Sequence, residues 1–231
     1  MSETYELKTI GHVRSDFPEK FGIPRQSGLV PALRAKIVFE PEYRNPDALR
    51  GIEGFSHLWL IWQFSAAVRD TWSPTVRPPR LGGNERVGVF ATRSPFRPNA
   101  VGLSCVKLEG VAHEEGSGDV LIVSGADLMD GTPIYDVKPY LPYADAHPEA
   151  LGGFAPAPKG TLAVDCPPEL LAALPEEQRE ALLGVLAQDP RPQYQHDPAR
   201  VYAMSFGGWD VKFRVRGERV EVLSLAESGE K

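Results

Sequence analysis

The sequence predicts a mainly β protein, a small β-barrel domain followed by a smaller α+β extension. Three observations carry that prediction. Glycine and proline number 22 each among 231 residues, a composition that suits short strands joined by punctuated loops better than a helical bundle. Short apolar runs, several with period-two alternation, recur through the first part of the chain. After about Ala146 the pattern changes, and two stretches open with proline and acidic residues, as helices do. The expected division is therefore 1–146 and 147–231.

The elements follow in order. Residues 4–13 alternate loosely and start a strand. In LRAKIVF (33–39) Leu33, Ala35, Ile37 and Phe39 face one way, Arg34 and Lys36 the other. PDALRGIEGFS (46–56) reads as a short helical turn, and HLWLIWQF (57–64) as a strand buried on both faces. The next 22 residues are rich in Pro and Arg, without periodicity, and loops of that length are usually functional or disordered. ERVGVFA (85–91), VGLSCVKLEGVAHE (101–114) and VLIVSGADL (120–128) are strands, the last two joined by the turn EGSGD. MDGTPIYDVKPYLPY ends the domain with a turn and a short edge strand, where proline is tolerated. HPEALGGFAPAPKG (147–160) is a linker or irregular excursion. PPELLAAL and PEEQREALLGVLAQ are helices, the second with Leu182, Leu183, Val185 and Leu186 on one side. VYAMSF, WDVKFRV and RVEVLSL are strands.

Composition narrows the function classes. The N-terminal MSETYELKTIGHVRS lacks the charged-then-apolar pattern of a signal peptide, and no apolar run approaches a membrane span. With two distant cysteines, Cys105 and Cys166, a cytoplasmic protein without a structural disulfide is expected. The five histidines and two cysteines show no zinc-ligand spacing, so no metal is expected. GLSCV lacks the G-x-S-x-G of a nucleophile elbow, there is no P-loop, and RLGGN and FGGW are too short for a dinucleotide fingerprint. His57 is expected to cap or pack its strand. The net charge of −6 argues against nucleic acid, but the distribution does not. From Arg69 to Arg97 stand six arginines (Arg69, Arg77, Arg80, Arg86, Arg93, Arg97) against Asp70 and Glu85, a local patch able to steer a polyanion.

One constellation remains: PRQSGLV (24–30), GIEGFSHLWL (51–60), RPPRLGGNERVGVFATRSPFRPNAVGLS (77–104) and GADLMDGTPIYDVKPYLPYAD (125–145). In this order these motifs closely resemble the TsaA-like (YaeB, or tRNA methyltransferase O) family across nearly the whole first domain. DPRPQY (189–194) and WDVKFRV are similar to that family's bacterial C-terminal extension. The resemblance implies a homodimeric enzyme that binds S-adenosylmethionine in a small β-barrel rather than a Rossmann fold. Its implied reaction is methylation of N6 of threonylcarbamoyladenosine at position 37 of threonine tRNA, with no DNA or membrane partner.

By motif position the resemblance implies cofactor contacts at Gln26, Ser27, Gly28, Phe64, Ser65, Arg93 and Leu103, and at Asp127, Leu128, Met129 and Asp130. The chemistry fits. Arg93 or Arg97 can fork onto the methionine carboxylate or onto an RNA phosphate. Asp127 and Asp130 can take the ammonium or ribose hydroxyls, and the backbone of Leu128 and Met129 can read an adenine edge. Bland roles stand beside these: a turn for Gln26–Gly28, core packing for Phe64, the Asp-Gly turn for Asp130, a loop bridge for Arg97. A base to take the proton from nitrogen is not singled out; Asp136, Tyr140 and Asp210 are the candidates. RNA contacts are expected from Arg69, Arg77, Arg80, Arg86, Arg97 and Lys138. Tyr194, Trp209 or Phe206 are candidates for stacking on bases, with core packing the better reading of Trp209. The rival functions are a non-enzymatic adenosyl-ligand- or RNA-binding adaptor and a methyltransferase on another acceptor.

Overall fold

The computed structural model describes residues 3–67, 71–192, 195 and 197–229. Along the first half come β1 (Gly11–Ser15), β2 (Arg34–Phe39), β3 (His57–Gln63) and a short pair, β4 (Thr75–Val76) with β5 (Val87–Gly88). β6 (Val101–Glu114), β7 (Gly118–Ser124) and β8 (Pro133–Pro139) follow. All but β4 and β5 form one sheet in the order β1-β2-β7-β6-β3-β8. It closes into a barrel because β1 also pairs with β8, through Gly11–Ile134 and His12–Pro133. A Cβ at Gly11, paired on both sides at this seam, would stand 2.6 Å from the Val38 carbonyl oxygen. Alternation fills the interior: Val13, Ile37, Leu58, Leu60, Val123 and Ile134 are completely buried.

The second half holds α1 (Pro142–Asp145), β9 (Ala163–Asp165), α2 (Pro168–Ala173) and α3 (Glu176–Ala187), then β10 (Tyr202–Phe206), β11 (Trp209–Arg216) and β12 (Arg219–Glu227). Its sheet runs β10-β11-β12-β9, with β9 parallel to β12 and the other pairs antiparallel. Ala181, Leu182, Val185 and Leu186 of α3 pack into a core with Met204, Phe206, Val211 and Phe213. Leu183 is off that stripe and only half buried.

The mainly β architecture with an α+β extension is as expected, and most deviations lie at element ends. The first strand begins at Gly11 rather than at residue 4. ERVGVFA yields only the two residues of β5, because a 3-10 turn takes over at Val89–Ala91. β3 alternates buried and half-buried residues instead of burying both faces. β8 is not an edge strand: it pairs with both β1 and β3, its prolines standing at its two ends. The three-residue β9 has no strand signal of its own.

One packing relation joins the halves. Residues between β1 and β2 enter the C-terminal core: Phe17, Val30 and Leu33 are buried there, with Phe21 and Ile23 against them. The Phe17 and Phe206 rings meet edge to face, centroids 5.5 Å apart. The Gly207 amide donates to the Asp16 carbonyl (2.8 Å), and Gln178 Nε2 donates to the Asp16 carboxylate (3.1 Å). The 16–33 loop therefore starts on the barrel and is fastened by the extension. Phe17→Ala is expected to cost about 3–5 kcal/mol, seen as a lower denaturant midpoint; an unchanged midpoint would remove Phe17 from this anchor.

Candidate active site

A cavity of about 550 Å³ opens at the end of the barrel where β3 leaves and β6 enters. Four segments wall it besides the strand ends: the 16–33 loop, the 64–67 turn after β3, the 92–98 loop and the 125–132 turn. Backbone bonds tie the first and last together. Gly28 N–H donates to Gly125 O (2.8 Å), Gly125 N–H to Leu33 O (2.7 Å) and Asp130 N–H to Phe17 O (2.8 Å). The 92–98 loop is braced by its own hydroxyls and a guanidinium. Ser94 N–H donates to Thr92 Oγ1 (3.2 Å), Phe96 N–H to Ser94 Oγ (3.3 Å) and Arg97 Nη2 to the Thr92 carbonyl (3.2 Å).

Of the cofactor residues expected from sequence, Gln26, Phe64, Ser65, Arg93, Leu103, Asp127, Leu128 and Met129 line this cavity. Arg93 donates through Nη1 to Gln26 Oε1, joining two walls. Ser27 and Gly28 stand just behind: Ser27 offers its backbone N–H to the Asp127 carboxylate, and Gly28, with φ of 78°, makes the bond to Gly125. Asp130 is off the wall. With Gly131 (φ 74°) it forms the turn left open by the sequence, closed by Thr132 N–H to the Met129 carbonyl (3.2 Å), and its carboxylate ties that turn to β1 by accepting from the Ser15 amide (3.0 Å) and facing Arg14 (3.5 Å).

Asp127 is the one carboxylate lining the cavity among the described residues. Burial pushes its carboxyl above the usual range. The Ser104 hydroxyl, the backbone N–H groups of Asp127 and Ser27, and the Arg93 charge partly offset that push. Ser104, itself buried, donates to Asp127 Oδ1 (2.6 Å) and accepts from Trp62 Nε1 (3.0 Å). The indole of Trp62 lies over Gly102, where a Cβ would come within 2.3 Å of it. Trp62 also meets Phe64 with ring centroids 4.3 Å apart. A tryptophan, a serine and a glycine thus fix one half-buried acid at the cavity wall.

Sequence reasoning missed Trp62, Gln63, Ser104 and the loop residues Lys20, Ile23, Pro24 and Arg25. Ser104 had a signal: it is polar at an inward position of an alternating strand, two residues after Gly102. Pro24 and Arg25 had one too, standing at the start of the PRQSGLV motif; Lys20 and Ile23 had none, since their place depends on packing against the C-terminal core.

The three candidates for a base do not line the cavity. Asp136 pairs with Lys138 (2.8 Å) beside β3. Tyr140 bonds through its amide to the carbonyl of His57, the far end of β3 from Gln63, roughly 20 Å away at ~3.3 Å per strand residue. Asp210 accepts from Ser205 Oγ (3.2 Å) and Ser228 Oγ (3.1 Å) on the C-terminal sheet. Among the RNA candidates, Arg77 and Arg86 are exposed, and Arg86 Nε donates to Thr75 Oγ1 (2.9 Å). Arg80 donates to the Ala157 carbonyl, and Arg97 serves both its loop and the cavity wall. Phe206 is completely buried and offers no face to a base, and Trp209 is half-buried, packed against the C-terminal core. Arg69 and Tyr194 lie outside the described residues.

Two family profiles cover the chain: the tRNA-methyltransferase O N-terminal domain matches residues 12–146, and the TrmO C-terminal domain residues 159–228. The chain belongs to the tRNA-methyltransferase O family. It is 42% identical to the tRNA (adenine(37)-N6)-methyltransferase of Escherichia coli K12, over 96% of this chain and 98% of that one. It is 51% identical to the enzyme of the same name from Eikenella corrodens, over 70% of this chain and 91% of that one. A crystal structure of TrmO from Pseudomonas aeruginosa superposes with a TM-score of 0.80 at 37% identity, covering 98% and 99% of the two chains. The family therefore accounts for both halves, barrel and extension alike.

Asp127→Asn keeps an oxygen to accept from Ser104 and removes the ionisation. A raised carboxyl pKa means that the folded state holds this proton more tightly than the unfolded chain. Stability from this group is then full below the unfolded value and is lost as pH rises through the folded one. The melting temperature of Asp127→Asn minus that of the wild type is accordingly expected to grow as pH rises across that window. A difference independent of pH would show that burial does not govern Asp127.

Proposed function

We propose that this protein transfers the methyl group of S-adenosylmethionine to N6 of an adenine in tRNA, and that the cavity at the barrel end is the cofactor site. The observation that carries this reading is the pairing of a half-buried carboxylate, Asp127, with an arginine, Arg93, on two walls of one largely apolar cavity. A zwitterionic, aromatic-bearing ligand asks for that combination: a cation for a carboxylate, an anion for an ammonium or ribose, apolar walls for the rest. The volume falls within the range of small-molecule sites. When bound, S-adenosylmethionine supplies a methyl group on a positively charged sulfur.

The chain's part is to bind and align. Arg93, held by Gln26, offers its guanidinium to the ligand carboxylate; Asp127, fixed by Ser104, takes the ammonium or ribose hydroxyls. Phe64, Leu103 and the backbone of Leu128 and Met129 form the apolar and adenine-facing wall. Holding acceptor nitrogen, methyl and sulfur in line supplies much of the acceleration in such a displacement. The acceptor we propose is the threonylcarbamoylated adenosine at position 37 of threonine tRNA, with Arg77 and Arg86 on the backbone phosphates. The proposed working form is a homodimer in the cytoplasm. The family resemblance supports the acceptor, the dimer and the compartment; the cationic composition of 71–97 supports the two arginines.

Radiolabel transfer from S-adenosylmethionine to purified threonine tRNA, with and without the threonylcarbamoyl group, tests the reading. Transfer only to the modified tRNA is expected; cofactor binding without transfer to either would leave an adenosyl-ligand-binding adaptor instead. Arg93→Ala is expected to weaken cofactor binding in calorimetry by about 2 kcal/mol, the scale of a charge-assisted hydrogen bond. Unchanged affinity would remove Arg93 from the carboxylate. Arg77→Ala should leave cofactor affinity alone and lower the salt slope of tRNA binding by about one.

A further inference from the structure

We propose that Trp72 and Phe90 form a stacking platform for an unpaired base of the RNA substrate beside the cavity. The inference rests on the reading of an RNA acceptor. Both rings are large and exposed, Trp72 by 49% and Phe90 by 73%. They lie nearly parallel, 22° apart in plane with centroids 6.2 Å apart, and so present a joined aromatic surface to solvent. Adjacent exposed aromatics of this size mark an interaction site more often than bare surface.

Position argues for the occupant. Ser73 N–H donates to the Phe96 carbonyl (3.0 Å) and Val89 N–H to the Pro74 carbonyl (3.0 Å). The residues next to both rings are thus fastened together and to the loop whose Arg93, Pro95, Phe96 and Arg97 wall the cavity. The β4–β5 ladder pairs Thr75 with Gly88 and Val76 with Val87, which places Trp72 and Phe90 beyond one end and Arg77 and Arg86 beyond the other. Across 71–97 the charged residues are Arg77, Arg80, Arg86, Arg93 and Arg97 against Glu85. Aromatic faces flanked by exposed arginines are what single-stranded RNA loops take, the bases stacking while the cations meet phosphates. The arginines alone would suit an acidic protein surface as well; the two near-parallel aromatic planes beside them are what favour unpaired bases.

The test uses the full-length protein and an anticodon stem-loop, with affinity read by anisotropy over a salt series. Trp72→Ala and Phe90→Ala are each expected to weaken binding roughly tenfold with the salt slope unchanged, whereas a lost phosphate contact lowers the slope. In Trp72→Phe the affinity should be largely retained, while part of the fluorescence quenching caused by the wild-type stem-loop complex disappears. Unaltered affinity in both alanine variants overturns the proposal. So does a loss of affinity that tracks dissociation of a wild-type assembly in sedimentation, which would assign the rings to contact between protein copies. Binding of the stem-loop needs no methyl transfer, so a wild type that binds RNA but methylates nothing would count against the acceptor and leave the platform to be judged on affinity alone.

Discussion

Burial of Phe17 in the C-terminal core is the contact on which the site geometry depends. Phe17 leaves the barrel two residues after β1 and is enclosed with Phe206, while the flanking Asp16 is bonded by the Gly207 amide and by Gln178 of α3. From that point to Leu33 the chain has no strand or helix, so nothing local would hold it. Fastened at Phe17, Val30 and Leu33, it brings Gln26 to Arg93 and Ser27 to Asp127. The barrel supplies the floor of the cavity, and the extension keeps one of its walls in place. A small closed sheet has no natural crevice outside its strand ends, so a cavity there must be built from connections, and connections need an outside anchor.

The site also works against stability. Burying the Asp127 carboxylate is unfavourable, as its upward shift records, and Ser104, backbone amides and Arg93 return only part of that cost. Asp16 shows the same conflict on the other side of the anchored loop: burial pushes its carboxyl up and the bond from Gln178 pulls it back. Gln178 Oε1 is itself buried without a partner. Three partly buried polar residues, Asp127, Asp16 and Gln178, thus flank the segment that carries Gln26, which is where an active site is expected to lower fold stability.

Legibility in the sequence followed the range of the interactions. β6 is legible to the residue because it alternates from Val101 to Glu109 and the turn signal follows at its end, despite the register shift at Gly110; β8 is misread as an edge because closure of the ladder is a non-local fact. At the site, Arg93 and the 127–129 run lie in motifs contiguous in sequence and were named from them. Ser104 and Trp62 were not, because the hydrogen bond between them spans neighbouring strands 42 residues apart. The candidate bases failed for a related reason: residue type nominated Asp136, Tyr140 and Asp210, but register puts Tyr140 at the wrong end of β3 and Asp136 beside Lys138. Lys20 and Ile23 are illegible since they acquire meaning only once Phe17 is buried elsewhere.

Charge completes the division of labour. The chain carries −6 overall, yet the 71–97 excursion is strongly cationic, so the remaining residues are more acidic than the total suggests. Part of that acidity, Glu169, Glu176, Glu177 and Glu180, lies on α2 and α3, none of whose residues lines the cavity. A polyanion approaching such a molecule feels a dipolar field, drawn to the arginine loop and repelled elsewhere, before any contact forms. The stiffness of that loop then matters as much as its charge. Arg97 spends a donor on the Thr92 carbonyl and Pro95 stands in the cavity wall, so the loop we propose for RNA is also a wall of the cavity we propose for the cofactor. On that proposal one braced loop meets both substrates.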